Sequence, residues 1–129
     1  MNKLSIIILS VVMFVLVGCS PKNTLQDYLT QNDLTKLEIE FEKSSEIDIE
    51  FSVIGNTLEI TYKFEDEGSE EMNTSIQTEL ENNEMKKTFT DYLSTLIKDM
   101  PNVKTANLKI VYLDINDDIM AELTVTSTK

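Results

Sequence analysis

Alternation of apolar and polar residues dominates the middle and the end of the chain. Apolar side chains occupy every second position from 47 to 53 and again from 58 to 64, with Gly55-Asn56 between the two runs. This period is typical of strands buried on one face, and a Gly-Asn pair favours a tight turn. The pattern predicts a β-hairpin. Residues 106–113 and 119–126 predict two further strands, joined by a polar turn at 114–118.

A capping box and helical spacing mark the start of the folded part. Thr24 is followed three residues later by Asp27, which is the pattern of a helix amino terminus. Leu25, Tyr28 and Leu29 then follow at helical intervals, so a helix is predicted there.

A long helix is predicted from Glu70 to Asp99, with Ser69 as its cap and Pro101 just beyond its end. Its apolar residues form two stripes that are out of phase with each other. The two stripes are Met72, Ile76 and Leu80, and then Met85, Phe89, Leu93 and Leu96. Because the phase changes near Asn82-Asn83, we expect a kink or a break at that point.

Residues 34–44 fit two patterns. Leu37, Ile39 and Phe41 alternate with glutamates, as in a half-buried strand. Leu34, Leu37 and Phe41 are instead spaced three and four apart, as on one face of a helix. The periodicity leaves both structures open.

Together the segments predict an α+β fold in the order α-β-β-α-β-β. In this fold the helices pack on one face of a four-stranded, mainly antiparallel sheet. Residues 24–30 also resemble residues 88–94, and a pair of strands follows each segment. An internal αββ duplication is therefore a further hypothesis.

The first residues have the pattern of an export signal. Lys3 precedes an apolar run from 6 to 17 that is broken only by Ser10. A membrane-spanning helix needs roughly twenty residues, so this shorter run is typical of a signal peptide. The run ends in Leu16-Val17-Gly18-Cys19, which resembles the lipobox of bacterial lipoproteins. That resemblance implies cleavage between Gly18 and Cys19 and a diacylglyceryl group on Cys19.

This signal sets the expected domain organisation and location. Residues 1–18 are the predicted signal peptide, 19–23 the lipidated cysteine with a short tether, and 24–129 a single domain. The expected location is the outer face of the bacterial cell membrane. An ordinary secretory signal with a chance cysteine is the alternative. Cys19 is the only cysteine, so an intramolecular disulfide is impossible and the domain depends on packing alone.

Composition restricts the chemistry. The chain has 11 basic residues, all of them Lys, against 23 Asp and Glu, and it contains no Arg, His or Trp. Without Lys3 the balance is 10 against 23, a net charge of about −13. Acidity opposes nucleic-acid binding, and the missing Arg and His remove a bidentate anion clamp and a near-neutral proton shuttle. We therefore predict no enzyme activity, no cofactor and no nucleic-acid partner.

Three short motifs carry a further resemblance. They are Leu25-Gln26-Asp27-Tyr28, then Gly55-Asn56-Thr57-Leu58 with Tyr62, and finally Lys109-Ile110-Val111-Tyr112. In this order they resemble an uncharacterised family of small lipoproteins from Gram-positive Firmicutes, a domain of unknown function. The resemblance favours a helix at 34–44 and implies no activity. The last turn of the family often contains Asp-Gly, whereas this chain has Asp117-Asp118.

The polar face of the predicted sheet is the leading candidate binding site. Its proposed members are Asp48, Glu50, Glu59, Thr61, Glu65, Glu122 and Thr124. Carboxylates and threonines on an open sheet could receive a basic peptide, although an ordinary solvated face has the same composition. Val111 and Leu113 make both faces of the third strand apolar, so we expect a helix or a partner to cover part of it.

Other candidate sites have simpler explanations. Residues 114–118 carry oxygen ligands at the first, third and fifth places, as a calcium loop does, but Ile119 and Val125 stand where an EF-hand needs Gly and Glu. A hairpin turn is therefore favoured, and no metal site is predicted. The acidic run from 66 to 71 is interpreted as a solvated loop and helix start. The four tyrosines fall on apolar phases and are interpreted as core.

These observations favour a non-catalytic, membrane-anchored lipoprotein that binds a protein or a peptide. The alternatives are an immunity or inhibitor lipoprotein that sequesters a cationic peptide, and a carboxylate-dependent hydrolase of the envelope. The expected partners are the membrane, through lipidated Cys19, and a cationic peptide or an envelope protein.

Overall fold

The computed structural model describes residues 22–43 and 47–129. These residues form four helices and four strands. The helices are α1 (Leu25–Tyr28), α2 (Gln31–Glu42), α3 (Glu70–Leu80) and α4 (Asn83–Ile97), and the strands are β1 (Asp48–Ile54), β2 (Thr57–Lys63), β3 (Thr105–Leu113) and β4 (Ile119–Thr128). The predicted α+β class and the order α-β-β-α-β-β are confirmed.

The strands form one mixed sheet in the order β1-β2-β3-β4. β1 and β2 pair antiparallel, as do β3 and β4, whereas β2 and β3 pair parallel at the centre. Two of the three pairings are thus antiparallel, as predicted. In the central pair, Leu58 lies opposite Leu108 and Ile60 opposite Ile110, and all four side chains have 0% exposure.

The core lies between the helices and one face of the sheet. Each helix contributes a buried leucine to the same cluster as the central strands: Leu25 from α1, Leu34 from α2, Leu80 from α3 and Leu93 from α4. Fully burying one such side chain contributes about 1.5–3 kcal/mol. One face of the sheet carries apolar side chains, and the four helices bury it.

The segment for which strand and helix both fitted is helical as far as Glu42, and residue 44 lies outside the described residues. Thr30 begins α2 with a capping box. Its hydroxyl oxygen accepts from the Asp33 N–H at 3.1 Å, and the Asp33 carboxylate accepts from the Thr30 N–H at 2.9 Å. Phe41 then places its ring 5.1 Å from that of Phe51 on β1. The helical interpretation is confirmed.

The predicted long helix is broken where its apolar stripes change phase. α3 ends at Leu80 and α4 begins at Asn83. Between them the Asn82 side chain accepts from the Glu84 N–H at 2.8 Å, which starts a new helix. α4 ends at Ile97, before Pro101. Leu80 and Leu93 enter the core and Ile76, Phe89 and Leu96 pack against it, whereas Met85 is 36% exposed.

The two segments proposed as an internal repeat have different structural settings. Thr24 caps α1, whereas Thr88 lies inside α4 and donates its hydroxyl to the Glu84 carbonyl at 2.9 Å. Because β2 and β3 are parallel, β3 also runs opposite to β1. The order of elements repeats, and the duplication itself stays a prediction.

The first helix is fastened to the β1–β2 turn. The Gln26 N–H donates to the Gly55 carbonyl at 2.9 Å, and the Gly55 N–H donates to Gln26 Oε1 at 2.9 Å. The Leu25 N–H donates to Asn56 Oδ1 at 3.0 Å. Gly55 has a φ of 58°, in the left-handed region that favours glycine. We call these four residues, Leu25, Gln26, Gly55 and Asn56, the N-terminal lock.

Each edge strand has a helix side chain bonded to its backbone. On β1, the Phe51 N–H donates to Glu38 Oε1 at 2.8 Å. On β4, the Glu122 N–H donates to Gln77 Oε1 and Gln77 Nε2 donates to the Glu122 carbonyl, both at 3.0 Å. Open edge backbone can pair with a strand of another chain. These contacts therefore occupy part of both edges.

Substitution of Gln77 tests the edge contact. Gln77→Ala should lower the free energy of unfolding by about 0.5–1.5 kcal/mol, because two hydrogen bonds to Glu122 are lost. Urea unfolding measures this change, and amide hydrogen exchange should be faster at Glu122. Thr78→Ala, one residue along the same helix, is the control. Equal exchange rates at Glu122 in the two variants would contradict the assigned role.

Candidate binding face

Most of the predicted binding residues lie on the sheet face opposite the core. By register, one row across the four strands is Glu50, Thr61, Val111 and Glu122, and the next row is Ser52, Glu59, Lys109 and Thr124. Asp48 lies opposite Lys63 in the row on the other side of the first. Glu65 follows the end of β2, in a bend outside the paired rows. The register therefore brings six of the seven proposed residues together.

An apolar stripe runs along the same face. Val111 and Leu113 belong to it through β3, and a register shift near the end of β3 brings Ile119 opposite Leu113. Val111 is only 5% exposed and Ile119 is 59% exposed. We call Val111, Leu113 and Ile119 the apolar stripe. The sequence pattern indicated its first two members, and Ile119 was missed because the shift reverses the phase of β4.

Carboxylates border the apolar stripe. Glu50 and Glu122 are both exposed and occupy the two edge strands of its row. Adjacent strands lie about 4.8 Å apart, so three spacings separate these residues by roughly 14 Å. Lys109 lies opposite Glu59, where it offsets one charge within the sheet. The face thus combines apolar side chains of β3 and β4 with charged and polar side chains, and carries exposed carboxylates on both edge strands.

Lys63 has its own partner at the end of this face. Its ammonium lies 2.8 Å from Asp117 Oδ1 in the last turn. The hydrogen bond and the charge of Asp117 raise the pKa of Lys63. Because both side chains are exposed, the pair contributes little to stability. Asp117 has a φ of 64°, so it adopts the left-handed conformation that the glycine of an Asp-Gly turn would adopt more easily.

The loop compared with a calcium site is organised by Asp114. Its Oδ1 accepts from the N–H groups of Asn116 at 2.8 Å and Asp118 at 3.0 Å, and its Oδ2 accepts from the Gly68 N–H at 3.2 Å. Asp114 is only 4% exposed. Its oxygens therefore hold the turn against the loop before α3. Among the described residues, no group of three or more Asp, Glu, His or Cys is arranged to hold a metal ion.

The pH dependence of stability tests Asp114. The N–H groups of Asp118, Gly68 and Asn116 lower its pKa in the folded state. Its ionised form therefore contributes stability that is present above its unfolded pKa, which is about 4, and is lost as the pH falls through the lower folded value. Asp114→Asn should lower the melting temperature at pH 7, and the difference from wild type should narrow below pH 4. Asp118→Asn, with an exposed side chain in the same turn, is the control. A difference that stays constant from pH 7 to pH 3 would contradict the assignment.

The four tyrosines pack against the core, as predicted. Burial raises the pKa of Tyr62 and of Tyr92 to about 12, so both stay protonated at neutral pH. The ring centroids of Tyr62 and Tyr112 lie 4.9 Å apart. These side chains therefore contribute to the packing of the core.

A depression of about 320 Å³ lies at the α3–α4 junction and is lined by Glu79, Asn82, Glu84, Met85 and Thr88. All five side chains are exposed, so the depression is open to solvent. In the described part of the chain, no helix is both long enough and apolar enough to cross a membrane. Gly18 and Cys19, the predicted cleavage and lipidation site, lie outside the described residues.

Comparison with known proteins gives one match. Residues 22–125 match the family described as a domain of unknown function (DUF4854). Searches of curated proteins and of solved structures found no significant match. The matched range covers all four helices and all of the sheet except the last residues of β4. It also contains the three motifs on which the sequence resemblance rests. The chain is therefore a member of the DUF4854 family.

Proposed function

We propose that the protein is a lipoprotein anchored through Cys19 to the outer face of a bacterial cell membrane. In this proposal it binds a basic, amphipathic peptide or protein segment and performs no catalysis. The signal-like residues 1–18 and the lipobox-like Leu16-Val17-Gly18-Cys19 support the anchor. The three motifs of the family resemblance, within residues 25–112, support an origin among Gram-positive Firmicutes. The polar sheet face supports the binding activity.

The observation that carries the binding proposal is the row of Glu50, Thr61, Val111 and Glu122. Roughly 14 Å between its outer carboxylates matches a helix, whose diameter with side chains is about 10–12 Å. A ligand of this width would place cationic side chains beside Glu50 and Glu122 and apolar side chains on Ile119, the exposed member of the apolar stripe. A net charge of about −13 after removal of the signal would also attract such a ligand.

The edge contacts favour the face over the edges as the binding surface. A peptide that added a strand to the sheet would need free backbone groups on β1 or β4. Glu38 occupies the Phe51 N–H, and Gln77 occupies both backbone groups of Glu122. A ligand on the face needs none of these groups. Binding therefore depends on side chains rather than on strand addition.

Sequestration of a cationic antimicrobial peptide is a narrower form of the same proposal. It is favoured by the acidity of the domain and by the short tether, which would hold the face near the bilayer that such peptides attack. Only three residues, from Ser20 to Lys22, separate Cys19 from Asn23. Deletion of the gene should then sensitise cells to cationic peptides. Unchanged inhibitory concentrations would leave only the broader proposal.

Charge reversal on the face tests binding. Glu50→Lys/Glu122→Lys should weaken binding of a synthetic amphipathic Lys-Leu peptide about tenfold, because two bordering carboxylates become repulsive. Titration followed by NMR measures the affinity and the residues that shift. The matched control is Glu81→Lys/Glu84→Lys, which makes the same charge change on exposed helix positions. Equal weakening by both variants would reduce the interaction to net charge and contradict a defined site.

The anchor has a separate test. In cells fed labelled palmitate, the wild-type chain should incorporate label and fractionate with membranes, whereas Cys19→Ala should do neither. The intact mass of the purified wild-type protein should correspond to residues 19–129 with acyl chains attached. A mass that corresponds to residues 1–129, or to a cleaved chain without lipid, would contradict the anchor.

A further inference from the structure

The two ends of the sheet differ in charge. At one end, hydrogen bonds join the start of the domain, the β1–β2 turn, the loop after α4 and the last residue. Asn102 Nδ2 donates to the Lys22 carbonyl at 2.9 Å, and the Lys129 N–H donates to the Lys104 carbonyl at 2.9 Å. The N-terminal lock lies at this end as well. We call it the anchor end.

Lysines concentrate at the anchor end. They are Lys22, Lys98, Lys104 and Lys129, and all four are exposed. Lys104 and Lys129 each donate one ammonium hydrogen to a carbonyl of the same loop, at 3.1 Å to Pro101 and 2.7 Å to Met100. An ammonium has three donors, so each can still reach an outside acceptor. These bonds hold the two charges close to the end of the domain.

Two nearby features suit an interface with lipid. Ile54 is 67% exposed beside the turn at this end. The Lys22 ammonium lies 5.6 Å from the centre of the Tyr28 ring. The Asp27 carboxylate accepts from the N–H groups of Asn23 and Thr24, which lower its pKa and satisfy part of its charge. Exposed Asp99, next to Lys98, and the Asp33 carboxylate, which interacts with Lys22, offset part of the positive charge. The end therefore carries aromatic and aliphatic groups together with lysines that are only partly balanced by acids.

The opposite end is strongly acidic. It includes the loop from 64 to 69 and the turn from 114 to 118, which are joined by the Gly68–Asp114 hydrogen bond. Its carboxylates are Asp48, Glu65, Asp66, Glu67, Asp114, Asp117 and Asp118, and its lysine is Lys63. β3, with nine residues, spans about 30 Å between the ends. The screening length at physiological salt is about 8 Å, so the acidic end does not neutralise the lysines.

From this polarity we infer that the anchor end docks on an anionic phospholipid surface. The inference rests on the proposed anchor at Cys19, because the described structure begins at Lys22, in the middle of the lysines. An anionic headgroup layer attracts the exposed lysines of this end and repels the much more acidic opposite end, although the domain as a whole is negative. The polar sheet face would then stand upright on the membrane, with its surface open to a partner.

The absence of tryptophan from the chain allows a single-site reporter. Ile54→Trp labels the anchor end, and Ile115→Trp labels the opposite end at a side chain of similar exposure, 59% against 67%. Each variant of the proposed mature chain, residues 19–129, is coupled through Cys19, the only thiol, to a maleimide phospholipid. The vesicles contain brominated phosphatidylcholine, with or without roughly 30% phosphatidylglycerol. Bromine quenches the fluorescence of a nearby tryptophan.

Quenching at position 54 should be at least about twofold stronger than at position 115 in the phosphatidylglycerol vesicles. Salt at about 0.5 M should remove this difference, because it screens the attraction between the lysines and the headgroups. Lys98→Glu/Lys104→Glu/Lys129→Glu should also remove it, since each lysine contributes about fivefold to docking. The matched control, Lys43→Glu/Lys86→Glu/Lys87→Glu, changes exposed lysines elsewhere and should keep it. Circular dichroism verifies that all variants fold.

Equal quenching at both positions would overturn the inference, as would an equal effect of the two triple variants. Because the tether is made chemically, this result does not depend on lipidation in cells. Failure of the palmitate experiment would therefore contradict the anchor alone, and failure of the quenching experiment would contradict the docking alone.

Discussion

The parallel pairing of β2 with β3 is the constraint on which the rest of the structure depends. Leu58, Ile60, Leu108 and Ile110 meet across this pair and are fully buried. Parallel neighbours cannot be joined by a tight turn, so the chain has to travel back along the sheet before β3 begins. Residues 64–104 make this return, and α3 and α4 occupy it. The helices therefore cover one face, and the outer strands of both hairpins become edges.

Those edges explain the positions of two helix side chains. Glu38 on α2 bonds to the backbone of β1 at Phe51, and Gln77 on α3 bonds to the backbone of β4 at Glu122. Neither residue belongs to an apolar stripe, so the hydrophobic pattern of the sequence does not predict these two contacts. Their effect is to occupy backbone groups of both edges, whereas the polar sheet face carries no covering helix from the described residues. The exposed polar face and the protected edges are thus two consequences of one topology.

The same topology separates the two ends of the domain. The antiparallel hairpins put the β1–β2 turn and the end of β4 at one end of the sheet, and the start of β1 and the β3–β4 turn at the other. The N-terminal lock fastens the start of the domain to the first of these ends. As a consequence, Lys22, Lys98, Lys104 and Lys129 lie at the anchor end of the domain, although more than a hundred positions separate the first from the last. The polarity arises from folding, since no stretch of the sequence is basic.

Local features of the sequence determined most of the elements. The alternation at 47–64 defined the first hairpin, and the phase change at Asn82-Asn83 located the break between α3 and α4. The capping box at Thr24 and the cap at Ser69 located two helix starts. Each of these signals depends on residues that are close together in the sequence. The periodicity of residues 34–44 fits both a strand and a helix. The contacts of Phe41 with Phe51 and Tyr92 favour the helix, and these contacts exist only in the assembled core. The candidate face was likewise largely foreseen from alternation, apart from Glu65, which lies beyond the strand.

Contacts between distant segments were decided only by the tertiary structure. Nothing in the two hairpins specifies that β2 should lie beside β3, or that it should be parallel to it, because that pairing joins residues some fifty positions apart. The bonds of Gln26 to Gly55 and of Gln77 to Glu122 are equally remote in sequence. The sequence by itself determined the elements, the acidity and the amino-terminal signal pattern, all of which depend on composition and neighbours. The tertiary structure decided which motifs touch and where the charges gather, because packing the core fixes those positions only when all elements are in place.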